Sequence, residues 1–517
     1  MVRGDAAGLS AGGSVCSPAS RRLAPCWLLA VALAACASEP TPAAAPAPGE
    51  DALVDWAPVP EALAASDAAL MERELAAVAK AASARPIPLV EGRPALDILV
   101  VVLDTVRADH LGIYGYDRET TPRLDAWAND ALVYENAWTD APWTLPAHAS
   151  MFTGKPQRQH GARSVGLDDP RKGAPLGQQF STIAERLQAA GYRTVAVTGN
   201  RAFLHPSFGL DQGFDAWVNA QPAADTRGVQ YTPADRIRAM AEAALAQDDA
   251  HPLFLFVNFM DAHTPYKARR GYVREPALLR RATIPGNGGG FRKVATRLLK
   301  GGTLSPEVQR SWVEAYDAEL RFLDEHVGAL LAKARAPYSF VLADHGEYLG
   351  EHGLVEHAKD VYEPVLHVPF LAKSPAISAG REPRLVQTHD LAGMVLDAAG
   401  LPSADVDRTG EVAVSELYFT LKKDLESKAY GARFNRIRRA FRIGPHKLIL
   451  GTDGTREAYD LAADPGELQR AAALPPLFDG LDERWLAEHP EAQVEPAGVS
   501  GGAGPDEEAL RALGYVE

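Results

Sequence analysis

An open α/β sheet is the architecture this sequence predicts. Three short runs carry the expectation: Asp97 to Leu103, Phe254 to Met260 and Phe340 to Ala343. They are apolar and rich in β-branched or aromatic residues, as parallel strands buried on both faces are. Each is followed at once by chemistry-bearing side chains: Asp104, then Asp261 and His263, then Asp344 and His345. In open α/β sheets, ligands gather beyond the C-terminal strand ends. One aspartate there is commonly a helix cap. Three strands ending alike, two with a histidine nearby, point to a shared site.

Helical patterns separate these strands. Ser181 to Ala190 is amphipathic, with Gly191 as its C-cap, and Thr194 to Val197 reads as a further short strand. Pro306 to Ala334 reads as a long helix, with Tyr316, Leu320, Leu323 and Val327 at core spacing. Asp109 reads as a helix cap. From about Val406 the pattern becomes an antiparallel sheet with a helix, clearest at Arg439 to Leu450 and Glu457 to Leu461. Residues 494–506 are rich in Gly and Pro and read as a flexible crossing.

The N-terminus reads as a targeting segment. Arg21-Arg22 precede an apolar run from Leu23 to Ala35 that is too short to span a bilayer. The run ends Leu33-Ala34-Ala35-Cys36, which resembles a bacterial lipobox with Cys36 as the lipidated residue. The alternative is an ordinary signal peptide that contains a cysteine. The expected order is a signal peptide over 1–35, a Pro- and Ala-rich tether over 36–58, a helical segment over 59–94, a catalytic domain over 95–405 and a C-terminal subdomain over 406–517. The product would be exported and held on a membrane by its lipid.

The three cysteines, Cys16, Cys26 and Cys36, all lie in that leader, so the folded body has no disulfide, zinc–thiolate site or cysteine nucleophile. The 517 residues carry a net charge of −14, which argues against a nucleic-acid partner.

Five segments then identify a family resemblance. Asp104-Thr105-Val106-Arg107-Ala108-Asp109 looks like the opening metal motif of sulfatases. Trp143 to Gly154 looks like their nucleophile segment, and Asp261-Ala262-His263-Thr264-Pro265-Tyr266 like their central motif. Asp344-His345-Gly346-Glu347, with Gly350-Glu351-His352-Gly353 and His357, resembles the second metal motif. Ala458-Tyr459-Asp460-Leu461 with Asp464-Pro465-Gly466-Glu467 resembles the late strand and turn, and Leu510 to Val516 the family's tail. Together they resemble the sulfatase family of the alkaline phosphatase superfamily.

The resemblance implies a doubly wound, mostly parallel sheet flanked by helices, with a smaller C-terminal α+β subdomain carrying an antiparallel sheet. It implies an ester hydrolase with one divalent cation (Ca, Mg, Mn or Zn) on Asp104, Asp344 and His345, and Thr144 as a further ligand or as nucleophile. His263, His357 and His148 would be catalytic, and Asn200 and His263 would bind the anionic ester. A second cation on Asp261, His263 and His357 is the two-metal alternative. His352 and His367 read as structural, and Arg107 as support for the Asp104 loop.

Two departures bear on mechanism. Thr105 stands where a second aspartate is usual, which weakens the case for calcium. Thr144, Leu145, Pro146, Ala147 and His148 replace the signature whose first residue becomes formylglycine. A threonine has one hydroxyl, so it suits direct attack on phosphorus as in superfamily phosphodiesterases and phosphatases, and a phosphodiesterase or phosphonate monoester hydrolase is the alternative activity. Competing readings are a lipid-linked phosphoethanolamine-type transferase and an inactive binding protein. The partner would be an anionic ester, on a sulfated or phosphorylated glycan or lipid. Lys267 to Lys300, with ten Lys or Arg and one acid, reads either as a lid that attracts such a substrate or as a solvated basic helix.

Overall fold

The computed structural model describes residues 61–167, 173–219, 231–247, 250–279, 285 and 288–493. The expected signal peptide, Cys36, the tether, the 494–506 crossing and the Leu510 to Val516 tail lie outside the described residues. Helix α1 (Glu61–Ala82) follows, with Met71, Leu75 and Val78 buried in the main core. Among the described residues no helix is long and apolar enough to cross a membrane.

In chain order the main sheet is built from β1 (Ile98–Leu103), β2 (Leu132–Trp138), β3 (Arg193–Thr198), β4 (Ala216–Asn219), β5 (Leu253–Phe259), β6 (Tyr338–Leu342), β7 (Phe370–Lys373) and β8 (Gly380–Gln387). Their order in space is β8-β2-β7-β6-β1-β5-β3-β4. β1 is buried along its whole length and pairs in parallel with β5 and β6, Ile98 lying opposite both Phe254 and Tyr338. Only β7 runs against its neighbours. The three strands expected from their apolar runs are therefore the three central ones, and their C-terminal ends share one edge. β8 closes the sheet as an exposed edge strand. Its register slips between Glu382 and Leu385, around Pro383, the place where an edge tolerates a residue with no N–H.

Helices cover the sheet: α2 (Pro122–Ala128), α3 (Thr144–Thr153), α4 (Ile183–Ala189), α5 (Ala234–Leu245), α6 (Gly288–Leu299), α7 (Pro306–Lys333) and α8 (Asp390–Ala398). α4 begins with a capping box between Thr182 and Glu185. α7 starts at Pro306 under a Ser305 cap and packs against α2 and α5. Tyr316 is buried in α7 as expected, but it is more than core. Its hydroxyl donates to Thr105 O at 2.8 Å and accepts from Arg107 N at 3.0 Å, so it pins the loop after β1. Asp109 does not cap a helix. It lies inside a single 3₁₀ turn, Ala108–His110, and pairs with Arg107 at 2.7 Å.

The C-terminal part forms an antiparallel meander of β9 (Ala413–Tyr418), β10 (Ile437–Ile443), β11 (His446–Gly451) and β12 (Arg456–Asp460). Gly444, at φ 55°, turns the single run expected over Arg439 to Leu450 into a hairpin. α9 (Leu481–Glu488) packs Trp485 edge-on to Phe441. Arg436 and Arg438 of this part both pair with Asp360, at 2.9 and 2.8 Å, and so grip the loop that follows His357.

A second clamp holds the approach to α3. Asp140 accepts from His389 Nδ1 at 2.6 Å, His389 N at 3.0 Å and Thr388 Oγ1 at 2.8 Å. Burial opposes the charge on His389, but the Asp140 carboxylate outweighs it and raises the imidazole from 6.5 to about 9. A folded-state pKa above the unfolded one gives stability that is complete below the unfolded pKa and is lost as pH rises through the folded one. The wild type should therefore exceed a His389→Gln variant in stability by its full margin below pH 6.5, and that margin should shrink by pH 9. The expected change is on the order of 2–3 kcal/mol, read from urea midpoints at matched pH. A margin independent of pH over that interval would show that the pair carries no net charge interaction.

Candidate active site

Asp104 stands one residue beyond β1, where its N–H donates to Phe259 O at 2.8 Å and extends the β1–β5 ladder. Its Oδ2 accepts from Asn200 Nδ2 at 3.0 Å and Asn258 Nδ2 at 3.4 Å. Asp344 follows β6, and its Oδ1 accepts from His345 N at 2.9 Å and Thr105 N at 3.2 Å. Thr105 can aim that N–H because its backbone is left-handed, φ 61°. The conformation costs on the order of 1 kcal/mol in a residue with a Cβ. Its hydroxyl donates to Asp104 O at 2.7 Å.

His345 Nδ1 donates to Gly346 O at 2.9 Å, which leaves the lone pair on Nε2. That nitrogen lies 3.4 Å from Asp344 Oδ2 and 4.0 Å from Asp104 Oδ1. Neither carboxylate oxygen has a hydrogen-bond donor, although both residues are fully buried. Burial, and then the charge of Asp344, push the Asp104 carboxyl up to about 7. Burial alone does the same to Asp344, and it lowers His345. Three buried acceptors that face one another with no donor repel one another. A divalent cation fits them, because two hard oxygens and one imidazole nitrogen converge within 4.8 Å.

Thr144 is the first residue of α3, and Trp143, in extended conformation, precedes it as N-cap. Pro146 sits in the first turn, where a missing N–H costs nothing. Gly154 ends the helix in the left-handed region and passes so close to Val406 that a Cβ would lie 2.6 Å from that side chain. The buried Thr144 hydroxyl lies 3.4 Å from His345 Nε2 and 3.5 Å from Asn200 Nδ2. It therefore meets the cluster and the positive end of a helix dipole together. Asn200 is held by its own Oδ1, which accepts from Ala202 N at 3.0 Å and Phe203 N at 3.1 Å. His148 lies one turn into α3. Its Nδ1 donates to Thr144 O at 2.9 Å and stands 3.6 Å from Asp344 Oδ2. The ring edges against Phe152 and Phe256, and burial there lowers its pKa to about 3.

His345, His357 and His263 lie side by side, with ring centroids 4.5 and 4.9 Å apart. His263 Nδ1 donates to Thr264 O. His357 sits between two left-handed residues, Glu356 at φ 60° and Ala358 at φ 55°, and its Nδ1 meets Glu347 Oε1 at 3.1 Å. Burial, then His345 and His263, hold the His357 pKa well below its ordinary value. Glu347 also accepts from Tyr266 Oη at 2.5 Å and Thr264 Oγ1 at 3.3 Å.

The second-cation expectation is corrected here. Asp261 pairs with Arg269 at 2.6 Å, and Arg269 in turn pairs with Glu319. Among the described residues the one group of three potential ligands is Asp104, Asp344 and His345. Asp261 takes a guanidinium where a cation was expected. The same contact corrects part of the basic stretch: Lys267 and Arg269 are buried, so the surface rim cannot begin at Lys267.

A family model described as Sulfatase matches residues 97–401, more than half of the chain. The chain belongs to the sulfatase family. Among its relatives is an ulvan-active sulfatase of Formosa agariphila, 25% identical over 413 residues, which cover 71% of this chain and 75% of the relative. A solved 2-O GAG sulfatase shares the fold with a TM-score of 0.58 at 18% identity, covering 80% of this chain and 98% of its own. A phosphonate monoester hydrolase of Silicibacter pomeroyi matches with a TM-score of 0.56 at 19% identity, covering 76% and 95%.

In this member of the family the motif residues Asp104, Thr144, Asn200, His263, Asp344, His345 and His357 all reach one centre. Three further residues border that centre with no part in its chemistry assigned to them from sequence: Asn258, Glu347 and Tyr316. Asn258 was legible as the single polar residue inside the apolar run Phe254 to Met260. Glu347 lies in the second metal motif, but its hydrogen bond to His357 appears only once the hairpin between them has folded. His367 makes a structural contact as expected, and His352 packs by its ring face. His352 stacks on Tyr362 at 3.8 Å, and His367 Nε2 bonds Glu135 O at 2.9 Å.

Proposed function

We propose that the chain hydrolyses a sulfate or phosphate ester outside the cytoplasm, using Thr144 as nucleophile and one divalent cation on Asp104, Asp344 and His345. One observation carries this reading. The Thr144 hydroxyl lies at the N-terminus of α3, 3.4 Å from a His345 nitrogen that also faces two carboxylate oxygens without donors. The cation, when bound, supplies charge neutralisation and a lower hydroxyl pKa.

The chain's own residues do the rest. The helix terminus and the Asn200 amide stabilise negative charge on Thr144 Oγ1 and on the ester's oxygens. Thr144 gives its hydroxyl proton to solvent, and Oγ1 forms a bond to phosphorus or sulfur while the bond to the leaving alcohol breaks. The leaving oxygen takes its proton from His357 Nε2, while His357 Nδ1 receives one from the Glu347 carboxyl, which burial raises to about 8. Glu347 on His357 Nδ1 fixes that ring and lets a proton pass through it. Water then attacks phosphorus or sulfur and gives a proton to His357, the bond to Thr144 Oγ1 breaks, and phosphate or sulfate leaves with the threonine hydroxyl restored.

The substrate class we favour is a sulfated or phosphorylated glycan or lipid, in keeping with relatives named for ulvan and GAG. Purified protein should be assayed with defined cations on p-nitrophenyl sulfate, p-nitrophenyl phosphate, bis-p-nitrophenyl phosphate and a phenylphosphonate monoester. Cation-dependent, repeated turnover of one of these is the expected result; turnover of none rejects the reading.

Export and anchoring on Cys36 belong to the same proposal. Cys36→Ser should abolish acylation and move the protein from the membrane fraction to the soluble fraction, read by mass spectrometry and fractionation. An unmodified N-terminus that begins elsewhere in the wild type rejects the anchor.

A further inference from the structure

A cavity of about 510 Å³ shares no lining residue with the cation cluster. Its chemistry is one-sided. Lys300, Lys428, Arg433, His352 and Tyr430 line it, and none of its lining residues is acidic. In a chain of net charge −14 this is unusual company. Nearby cations on the C-terminal sheet are all spoken for: Arg438 by Asp360 and Glu457, Arg439 by Glu416 and Asp482, Lys447 by Glu363 and Glu467. Lys300, Lys428 and Arg433 have no carboxylate partner among the described residues. Arg433 spends one donor on Leu299 O at 3.2 Å and thereby ties the two walls together.

His352 adds a second, independent sign. Its backbone is left-handed, φ 53°, and its Nε2 is buried with no hydrogen-bond partner. A non-glycine residue held in that conformation, with a polar atom left unsatisfied, costs stability unless something repays it. The walls also lead to the active site. The hairpin loop that carries His352 continues to His357. The segment that carries Lys428 and Arg433 also carries Lys423, whose ammonium lies 3.5 Å from the carboxylate of Glu356, the residue before His357.

We infer that this cavity binds a second anionic group of an extended polyanionic substrate, a sulfate or carboxylate on a sugar unit other than the one cleaved. The inference rests on the ester-hydrolase reading above and deepens it. Three cations with no carboxylate partner among the described residues concentrate anions, and their pull falls with salt. A small aryl ester would fill only the catalytic centre. A longer chain would reach the cavity and gain affinity from it.

The test separates this inference from the parent reading. Binding of a heparin hexasaccharide is measured by calorimetry on the Thr144→Ala protein, with and without the exposed pair Lys300→Gln and Lys428→Gln, at low and high salt. Both changes are on exposed side chains, and a circular dichroism melt checks the fold. The pair should weaken hexasaccharide binding at least tenfold at low salt and much less at high salt. In the otherwise wild-type protein it should leave kcat and KM on the best small aryl ester within twofold. Equal binding with and without the pair overturns the inference. So does a hexasaccharide that does not bind at all, or inorganic sulfate that binds as tightly as the hexasaccharide. A charge-reversed pair, Lys300→Glu and Lys428→Glu, should weaken binding further; no further loss also overturns it. Absence of small-ester turnover in the wild type would instead reject the parent reading and leave the binding result to be judged alone.

Discussion

Asp344→Asn is expected to empty the cation site and reduce kcat/KM at least a thousandfold, equivalent to about 4 kcal/mol of transition-state stabilisation. The amide oxygen can still accept from Thr105 N and His345 N, which now meet Oδ1 at 3.2 and 2.9 Å, so the loop keeps its shape. What disappears is the charge on Oδ2, one of the two donor-free oxygens beside His345 Nε2. The effect on stability should go the other way. With chelator present, the variant should melt no lower than the wild type, because one of two mutually repelling buried carboxylates has gone. With saturating cation, the wild type alone should gain in Tm, since a ligand that binds only the folded state stabilises it by mass action. Elemental analysis and melts with and without cation check both halves. Full cation occupancy in the variant would remove Asp344 from the ligand set.

Thr144→Ala should cost about 4–5 kcal/mol in kcat/KM, the scale on which a nucleophile is worth thousands-fold in rate. Thr144→Ser should stay within about tenfold of wild type, because it keeps a hydroxyl at the helix terminus. The same single hydroxyl ranks the substrates. A formylglycine diol can expel a trapped sulfate with its second hydroxyl, but Thr144 has no second hydroxyl. A threonine ester of phosphate can be opened by water in a second in-line displacement. A threonine ester of sulfate would need water to attack sulfur or the carbon–oxygen bond to break. Phosphorus esters should therefore outrun sulfate esters, and rapid quench should trap phosphate on Thr144. Wild-type rates in Thr144→Ala would end its role as nucleophile. Repeated turnover of a sulfate ester as the best substrate would end the preference for phosphorus.

The sequence was most legible where burial was most complete. β1, β5 and β6 are buried along nearly their whole lengths, and burial on both faces writes an unbroken apolar run. β2 carries Glu135 and Asn136 at half-buried positions, and β8 is a polar, Pro-containing edge, so neither stands out from its surroundings. β7 has only four residues. The site followed the same logic. Residues placed by the end of their own strand or helix, such as Asp104, Thr144 and Asp344, could be read from the sequence. Residues that act through a partner could not. Asp261 has the right type for a ligand, yet Arg269, eight positions on, turns back and takes it. Glu347 matters because a hairpin brings His357 to it across ten positions. Thr105 replaces an expected carboxylate and serves by its backbone, which no side-chain pattern records.

The loop that carries His357 is fastened from outside the segment by which the family is recognised. Arg436 and Arg438 hold Asp360, three residues past His357, and Asp424 holds Lys359 at 2.7 Å. All three anchors lie beyond residue 401, where the family match ends. The unit that descends together and the unit that works together therefore have different borders. An exchange of C-terminal parts between relatives would carry with it the setting of the His357 loop.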